Sequence, residues 1–206
     1  MLHPVVKHSL ENSMSYETYS ELVNRLVEIK GTTGSDSSEA LVEYTKLNQR
    51  RMKRWDKTTK VSEATKAMIS SLPHKMTWLL ITESWCGDAA HVVPVINKLA
   101  ALNDNIKLHI VLRDEHPELM DMFLTNGARA IPKLLIIDDE TGDVLSTFGP
   151  RPSEATQMVK AYKGAHGKLT AEFKEELQVW YNKNKGQNII EDIAKELCKF
   201  EPSMCL

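Results

Sequence analysis

The chain has 206 residues, of which 42% are hydrophobic and 26% charged, an ordinary balance for a globular protein long enough to bury a core without staples. Its net charge of −2 excludes a general attraction to nucleic acid or to a membrane surface, and no apolar run approaches the length of a bilayer span. Three cysteines, with Cys198 and Cys205 close to the end, make a poor disulfide framework and point to a reducing, cytoplasmic setting.

Residues 1–15 contain neither an apolar segment nor a small-residue cleavage site, so no secretory signal is expected. The first seventy or so residues read as helical. In "SYETYSELVNRLVEIKG", Tyr16, Tyr19, Leu22, Val23, Leu26 and Val27 recur every three or four positions and form one apolar stripe, closed by Gly31 and Gly34. A second helix is expected from Asp36, with Glu39 three positions on as in a capping box, and with Leu41, Tyr44, Leu47, Met52 and Trp55 as its inner face. A short third helix is predicted over residues 62–70.

From residue 76 the texture changes. "MTWLLITE" is a continuous apolar run, as in a strand covered on both faces. A helix is predicted from Gly87 to about Leu102, and "IKLHIVL" is a second strand. "HPELMDMFLTNG" is a short helix opened by Pro117 and closed by Gly127. "PKLLIID" and "VLSTFG", joined by "DETGD", predict an antiparallel hairpin, and a helix capped by Ser153 follows. Two more amphipathic helices complete the chain. The order β-α-β-α-β-β-α implies a three-layer α/β sandwich with a mixed sheet. Its right-handed crossovers put Cys86 at the carboxyl edge of the first strand, at the start of the next helix.

That position suits a nucleophile. Unpaired N–H groups and the helix dipole both favour a thiolate, whereas Asp88, two residues on, opposes a second negative charge. A partly activated thiol is therefore expected. His91 lies five residues from Cys86, about 140° around the helix, and is expected to pair with Asp88 rather than act as a base. The competing reading of Cys86 is a small buried residue at a helix start.

The stretch "WCGDAAHVVPVINKLA" resembles the active-site helix of the thioredoxin superfamily. Trp85, Cys86 and Gly87 match in register, Pro94 falls at that family's helix-kinking proline, and Gly149 fits its glycine near the end of the last strand. "ARAIPKLLIID" is similar to its cis-proline loop and strand. The resemblance implies a thioredoxin-like domain over residues 74–164, with helical extensions over 1–73 and 165–206. It also implies Cys86 as the catalytic thiol in a loop of Trp85, Gly87, Asp88 and Ala89, with Ile131 and Pro132 orienting a substrate segment by strand addition. Three departures accompany it. Ala89 stands at the resolving cysteine, Leu80 stands where many members bury an aspartate, and the family's first strand and helix are absent from the N-terminal side.

The expected function is monothiol thiol–disulfide exchange with protein or small-molecule thiols and disulfides, a mixed disulfide at Cys86 being released by an external thiol. The alternative is a non-catalytic module that binds a partner through the cis-proline groove. Return of Cys198 or Cys205 as a resolving thiol is the less favoured route. The Gly-Phe-Ser and Gly-Gly features of monothiol glutaredoxins are not recognised. No cofactor or metal is expected, since His3, His8, His74, His91, His109, His116 and His166 lack ligand spacing. "RRMKRWDKTTK" holds Arg50, Arg51, Lys53, Arg54, Lys57 and Lys60, and reads as a solvated helix side in preference to a phosphate or nucleic-acid patch.

Overall fold

The structure, a computed structural model, describes residues 1–201. Four helices come first: α1 (Pro4–Glu11), α2 (Tyr16–Glu28), α3 (Glu39–Thr58) and α4 (Glu63–Ser70). The central unit is β1 (Met76–Thr82), α5 (Ala89–Ala100), β2 (Ile106–Leu112), α6 (Pro117–Met122), β3 (Lys133–Asp138), β4 (Val144–Phe148) and α7 (Ser153–His166). Helices α8 (Ala171–Asn184) and α9 (Gln187–Cys198) close the described chain.

The sheet runs β2-β1-β3-β4, with β1 parallel to β2 and antiparallel to β3, and with β3–β4 the expected hairpin. Six of the seven residues of β1 and five of the six of β3 are buried, because helices cover both faces of these two inner strands. This is the mixed α/β sandwich with helical extensions that the element order implies. Helix α5 packs against α3 and α9, while α1 packs against α6 and β2. The outer edge of β2 is not wholly bare. Met14 forms a single antiparallel bridge with Ile110, each N–H donating to the other's carbonyl at 2.9 and 2.8 Å, before the chain turns into α2. One bridge and a helix thus stand where only helices are expected from the sequence.

The local chemistry explains most element ends. Ser15 and Ser62 accept hydrogen bonds from the N–H groups of Thr18 and Thr65, capping α2 and α4. The capping box expected at Asp36 is not formed. Asp36 accepts from the Ser38 N–H in a local turn, and α3 starts at Glu39. At the end of α2 the left-handed residue is Lys30, φ 55°, rather than Gly31. Helix α6 stops at Met122, short of Gly127, because Asn126 and Gly127 take positive φ in a tight turn bridged by Thr125 and Ala128.

The inner face of α3 departs from the apolar stripe. Met52 and Trp55 are buried as expected, but Tyr44 and Leu47 are 43% and 41% exposed, and the helix buries Thr45 and Asn48 in their place. A helix may bury polar side chains only where partners await them. Here the partner is the segment that leads to Cys86.

Candidate active site

Strand β1 delivers its chain end to residues 83–88, and the start of α5 turns it back. The Cys86 N–H donates to the Glu83 carbonyl at 3.2 Å, and the Ala90 N–H donates to the Cys86 carbonyl at 3.2 Å, so Cys86 opens the first turn. Its Sγ donates to the carbonyl of Ile131 at 3.3 Å. The Ile131–Pro132 peptide is cis, as is Gly149–Pro150. Residues 86 and 131–132, 45 positions apart in sequence, are thus brought together.

Gly149 ties the end of β4 to this loop. It has φ +114°, and a Cβ there would lie 2.2 Å from the Pro132 carbonyl oxygen, so no side chain fits.

The environment of Cys86 differs from the sequence expectation. The residue is 8% exposed, and Ala89, at the resolving position, is 2% exposed. The N–H groups of Ala89 and Asp88 do favour the thiolate, but burial first and the Asp88 carboxylate second push the thiol up to about 12. The expected partial activation is therefore overturned. In this arrangement the helix terminus loses to desolvation, and Cys86 is a neutral S–H donor at physiological pH.

Asp88 neither caps α5 nor meets His91. Its carboxylate takes Arg151 Nη2 at 2.6 Å and the Tyr181 hydroxyl at 3.0 Å. Burial raises its pKa, while Arg151 and Tyr181 pull it down. The expected Asp88–His91 pair fails because both side chains are claimed by other elements. His91 Nδ1 accepts from Trp55 Nε1 at 2.6 Å, and His91 Nε2 lies 2.6 Å from Gln178 Oε1. An indole N–H can only donate, so Nδ1 is the bare nitrogen and Nε2–H donates to Gln178. The ring also stacks on Tyr181, with centroids 4.2 Å apart. Burial takes the His91 pKa down to about 3, which leaves the ring a neutral structural link.

Ser84 is the second junction. Its Oγ lies within 2.9–3.3 Å of Thr45 Oγ1, Thr33 Oγ1, Thr32 Oγ1 and the Thr33 N–H. The Ser84 N–H donates to Thr33 Oγ1 at 2.9 Å, and Asn48 donates to the Ser84 carbonyl at 2.9 Å. This is what the polar face of α3 serves. Trp85 is half-buried beneath the Arg113 guanidinium, 4.8 Å from the ring centroid. A buried carboxyl does lie close by, but it is Glu83 rather than a residue at position 80. Glu83 Oε1 accepts the Asp114 N–H at 2.9 Å, and burial raises its pKa.

Over Gly87 stand Arg51 and Gln178, within 3.8 and 3.9 Å of where a Cβ would be. Arg151, Gln178 and Tyr181 are neighbours of the loop that the sequence reading does not single out, and Arg51 is read there only as part of a solvated helix side. Cys198 ends α9, and the route through Cys205 falls outside the described residues. Among the described residues no three His, Cys, Asp or Glu side chains are grouped to hold a metal ion, and no helix is long and apolar enough to cross a membrane.

A family model described as thioredoxin matches residues 34–163. The chain belongs to the thioredoxin family. No curated protein matches it. Among solved structures it is similar to a protein of unknown function from Pseudomonas aeruginosa, with 17% identity and a TM-score of 0.57 over 89% of this chain and 97% of that one. It is also similar to an HIV epitope scaffold, with 17% identity and a TM-score of 0.55 over 89% of this chain and 98% of the other. At such identity these likenesses speak for the thioredoxin-like fold alone. The thioredoxin match begins at residue 34, so it takes in Thr45 and Asn48, which hydrogen-bond Ser84 at the stem of the Cys86 loop.

Proposed function

We propose that the protein performs single-cysteine thiol–disulfide exchange, with Cys86 held closed until a partner engages. In this reading residues 74–164 carry the exchange site, and residues 1–73 and 165–206 supply its cover. The supporting observation is the Cys86 Sγ at 3.3 Å from the carbonyl just before the cis proline. An extended partner segment would donate an N–H to that same Ile131 carbonyl, as in strand addition. Its arrival competes with the weaker S–H donor for that acceptor, which couples docking to release of the sulfur.

The chemistry balances with one sulfur. Cys86 gives its proton to solvent, its thiolate attacks one sulfur of a disulfide, the S–S bond breaks, and the other half leaves as a thiolate. An external thiolate then attacks the mixed disulfide and restores Cys86. Ala89 bars internal resolution. A reducing, cytoplasmic setting would supply the external thiol.

The test is alkylation of Cys86 with iodoacetamide across pH, with and without a disulfide-bearing peptide, followed by mass spectrometry of the adduct. Slow labelling of the free protein is expected, together with a mixed disulfide that the Cys86→Ser variant cannot form. Absence of that adduct at any peptide concentration sinks the exchange reading.

A second reading, a binding module without turnover, is favoured by the raised thiol pKa. It predicts peptide binding that Cys86→Ser leaves intact and no covalent adduct. Ala89→Cys separates loop geometry from cover. We expect the new thiol to form a reversible internal disulfide with Cys86 at a folding cost of about 1–3 kcal/mol, since the methyl it replaces is packed.

A further inference from the structure

Beside the thiol site, a cavity of about 300 Å³ lies between α3 and α8, lined by Leu47, Arg50, Arg51, Arg54, Gln178 and Asn182. Three guanidinium groups share it. Among the described residues none of the three has a carboxylate within ion-pair distance. Asp88, the carboxylate whose charge reaches Arg51, is already bound to Arg151 at 2.6 Å.

The partners that these arginines do have are neutral. Arg51 Nη1 donates to Asn48 Oδ1 at 3.0 Å, and Arg54 Nη2 donates to Asn182 Oδ1 at 2.5 Å. Amide oxygens fix the orientation of the forks and leave their charge standing. Arg51 is the inner member, and burial together with the charge of Arg54 weakens its hold on its proton. Arg51 is half-buried and Arg50 and Arg54 are exposed, so three like charges with no carboxylate at ion-pair distance line an open cleft that a counter-charge can enter from outside.

We propose that the α3–α8 cleft is a binding site for a small multivalent anion, a phosphate or a carboxylate, gripped by Arg50, Arg51 and Arg54. Planar forks bind either oxyanion in a bidentate manner. Gln178 offers a side-chain amide at the far wall, and Leu47 closes one side. The site touches the thiol loop at Gly87 through Arg51 and Gln178. It does not depend on the exchange chemistry proposed above.

The experiment is thermal unfolding and calorimetric titration of the full chain with inorganic phosphate and, separately, with citrate, at ionic strength held constant with chloride. Binding in the millimolar range or tighter is expected from at least one of them, with a rise in unfolding midpoint that chloride does not give. A response to phosphate alone assigns a phosphate group, and a response to citrate alone assigns carboxylates. Arg50→Gln and Arg54→Gln each alter an exposed side chain and should each weaken binding about fivefold or more. Lys107→Gln, the same charge change on β2, and Cys86→Ser should both leave binding unchanged. The proposal is overturned if neither anion exceeds chloride, or if Lys107→Gln matches the arginine variants. It is also overturned if a single-stranded oligonucleotide binds more tightly than both anions with a steep salt dependence, which reassigns the arginines to nucleic acid.

Discussion

The segment from Glu83 to His91 is gripped from two sides by different chemistry. On the N-terminal side Thr32, Thr33, Thr45 and Asn48 hold Ser84 through neutral hydroxyl and amide hydrogen bonds. On the C-terminal side Arg151, Tyr181 and Gln178 hold Asp88 and His91, a carboxylate and an imidazole. The first grip contains nothing that titrates near neutrality and fixes the stem of the loop. The second contains ionisable groups, Arg151, Tyr181, Asp88 and His91, and stands over the start of α5, next to the thiol. Stability of the fold and accessibility of the sulfur are therefore expected to be separable.

The largest effect should come from the C-terminal grip. Tyr181→Ala removes a fully buried ring stacked on His91, with an expected loss of about 3–5 kcal/mol in chemical denaturation. In the folded fraction, labelling of Cys86 should accelerate. Tyr181→Phe, which keeps the ring and removes only the bond to Asp88, should cost about 1–2 kcal/mol and accelerate labelling less. If Tyr181→Ala leaves labelling unchanged, the C-terminal grip is not the cover.

Acid comes next. His91 has a folded pKa of about 3 against an ordinary value of 6.5, so between these the unfolded chain takes up a proton that the folded one refuses. Stability is present above pH 6.5 and falls as pH drops toward 3, by up to about 1.4 kcal/mol per pH unit. His91→Gln should flatten this slope in denaturation curves taken from pH 7 to pH 4. Cys86 contributes the opposite trend in alkali, because its folded pKa is above the unfolded one. Stability then falls as pH rises from 9 to about 12, and Cys86→Ala should remove that component.

Smaller effects belong to the N-terminal grip. Ser84→Ala strands the Thr33 N–H and leaves the Thr45 hydroxyl with Thr32 as its remaining partner, with an expected cost of about 1–3 kcal/mol, the same at pH 7 and pH 5. Thr32→Ala removes one half-buried partner and should cost about 0.5–1.5 kcal/mol. Both variants should label at Cys86 as slowly as the parent. Fast labelling in Ser84→Ala would merge the two grips into one and end the distinction.

The strands and the approach of Cys86 to Ile131–Pro132 are legible in the sequence because their signals are local or ordered. β2 begins and ends with its partly alternating stretch IKLHIVL, the hairpin follows from its turn, and the Trp-Cys-Gly stretch, the Ile-Pro pair and Gly149 lie in the family's order. The buried face of α3 was not legible. Counting apolar positions selects Tyr44 and Leu47, whereas the helix buries Thr45 and Asn48, whose partner Ser84 is more than 30 residues away. The state of Cys86 departs from the sequence expectation for the same reason. A helix terminus acts within one turn and can be seen in the sequence, but burial comes from elements distant in the chain, and their contacts with the loop are not written in residues 83–94. His91 likewise looks to Asp88 when read locally, and its actual partners are 36 and 87 positions distant.

Gly149 deserves a different kind of experiment. Its place is decided by the approach of two main chains, with the Pro132 carbonyl occupying the volume of any β-carbon. That constraint takes no account of what the neighbouring sulfur does. A saturation library at codon 149, sorted for soluble expression alone, should return glycine almost exclusively, whereas a library at codon 86 sorted in the same way should return several small residues. Among distant relatives, that glycine would serve as a register mark for aligning the loop even where the cysteine has been lost.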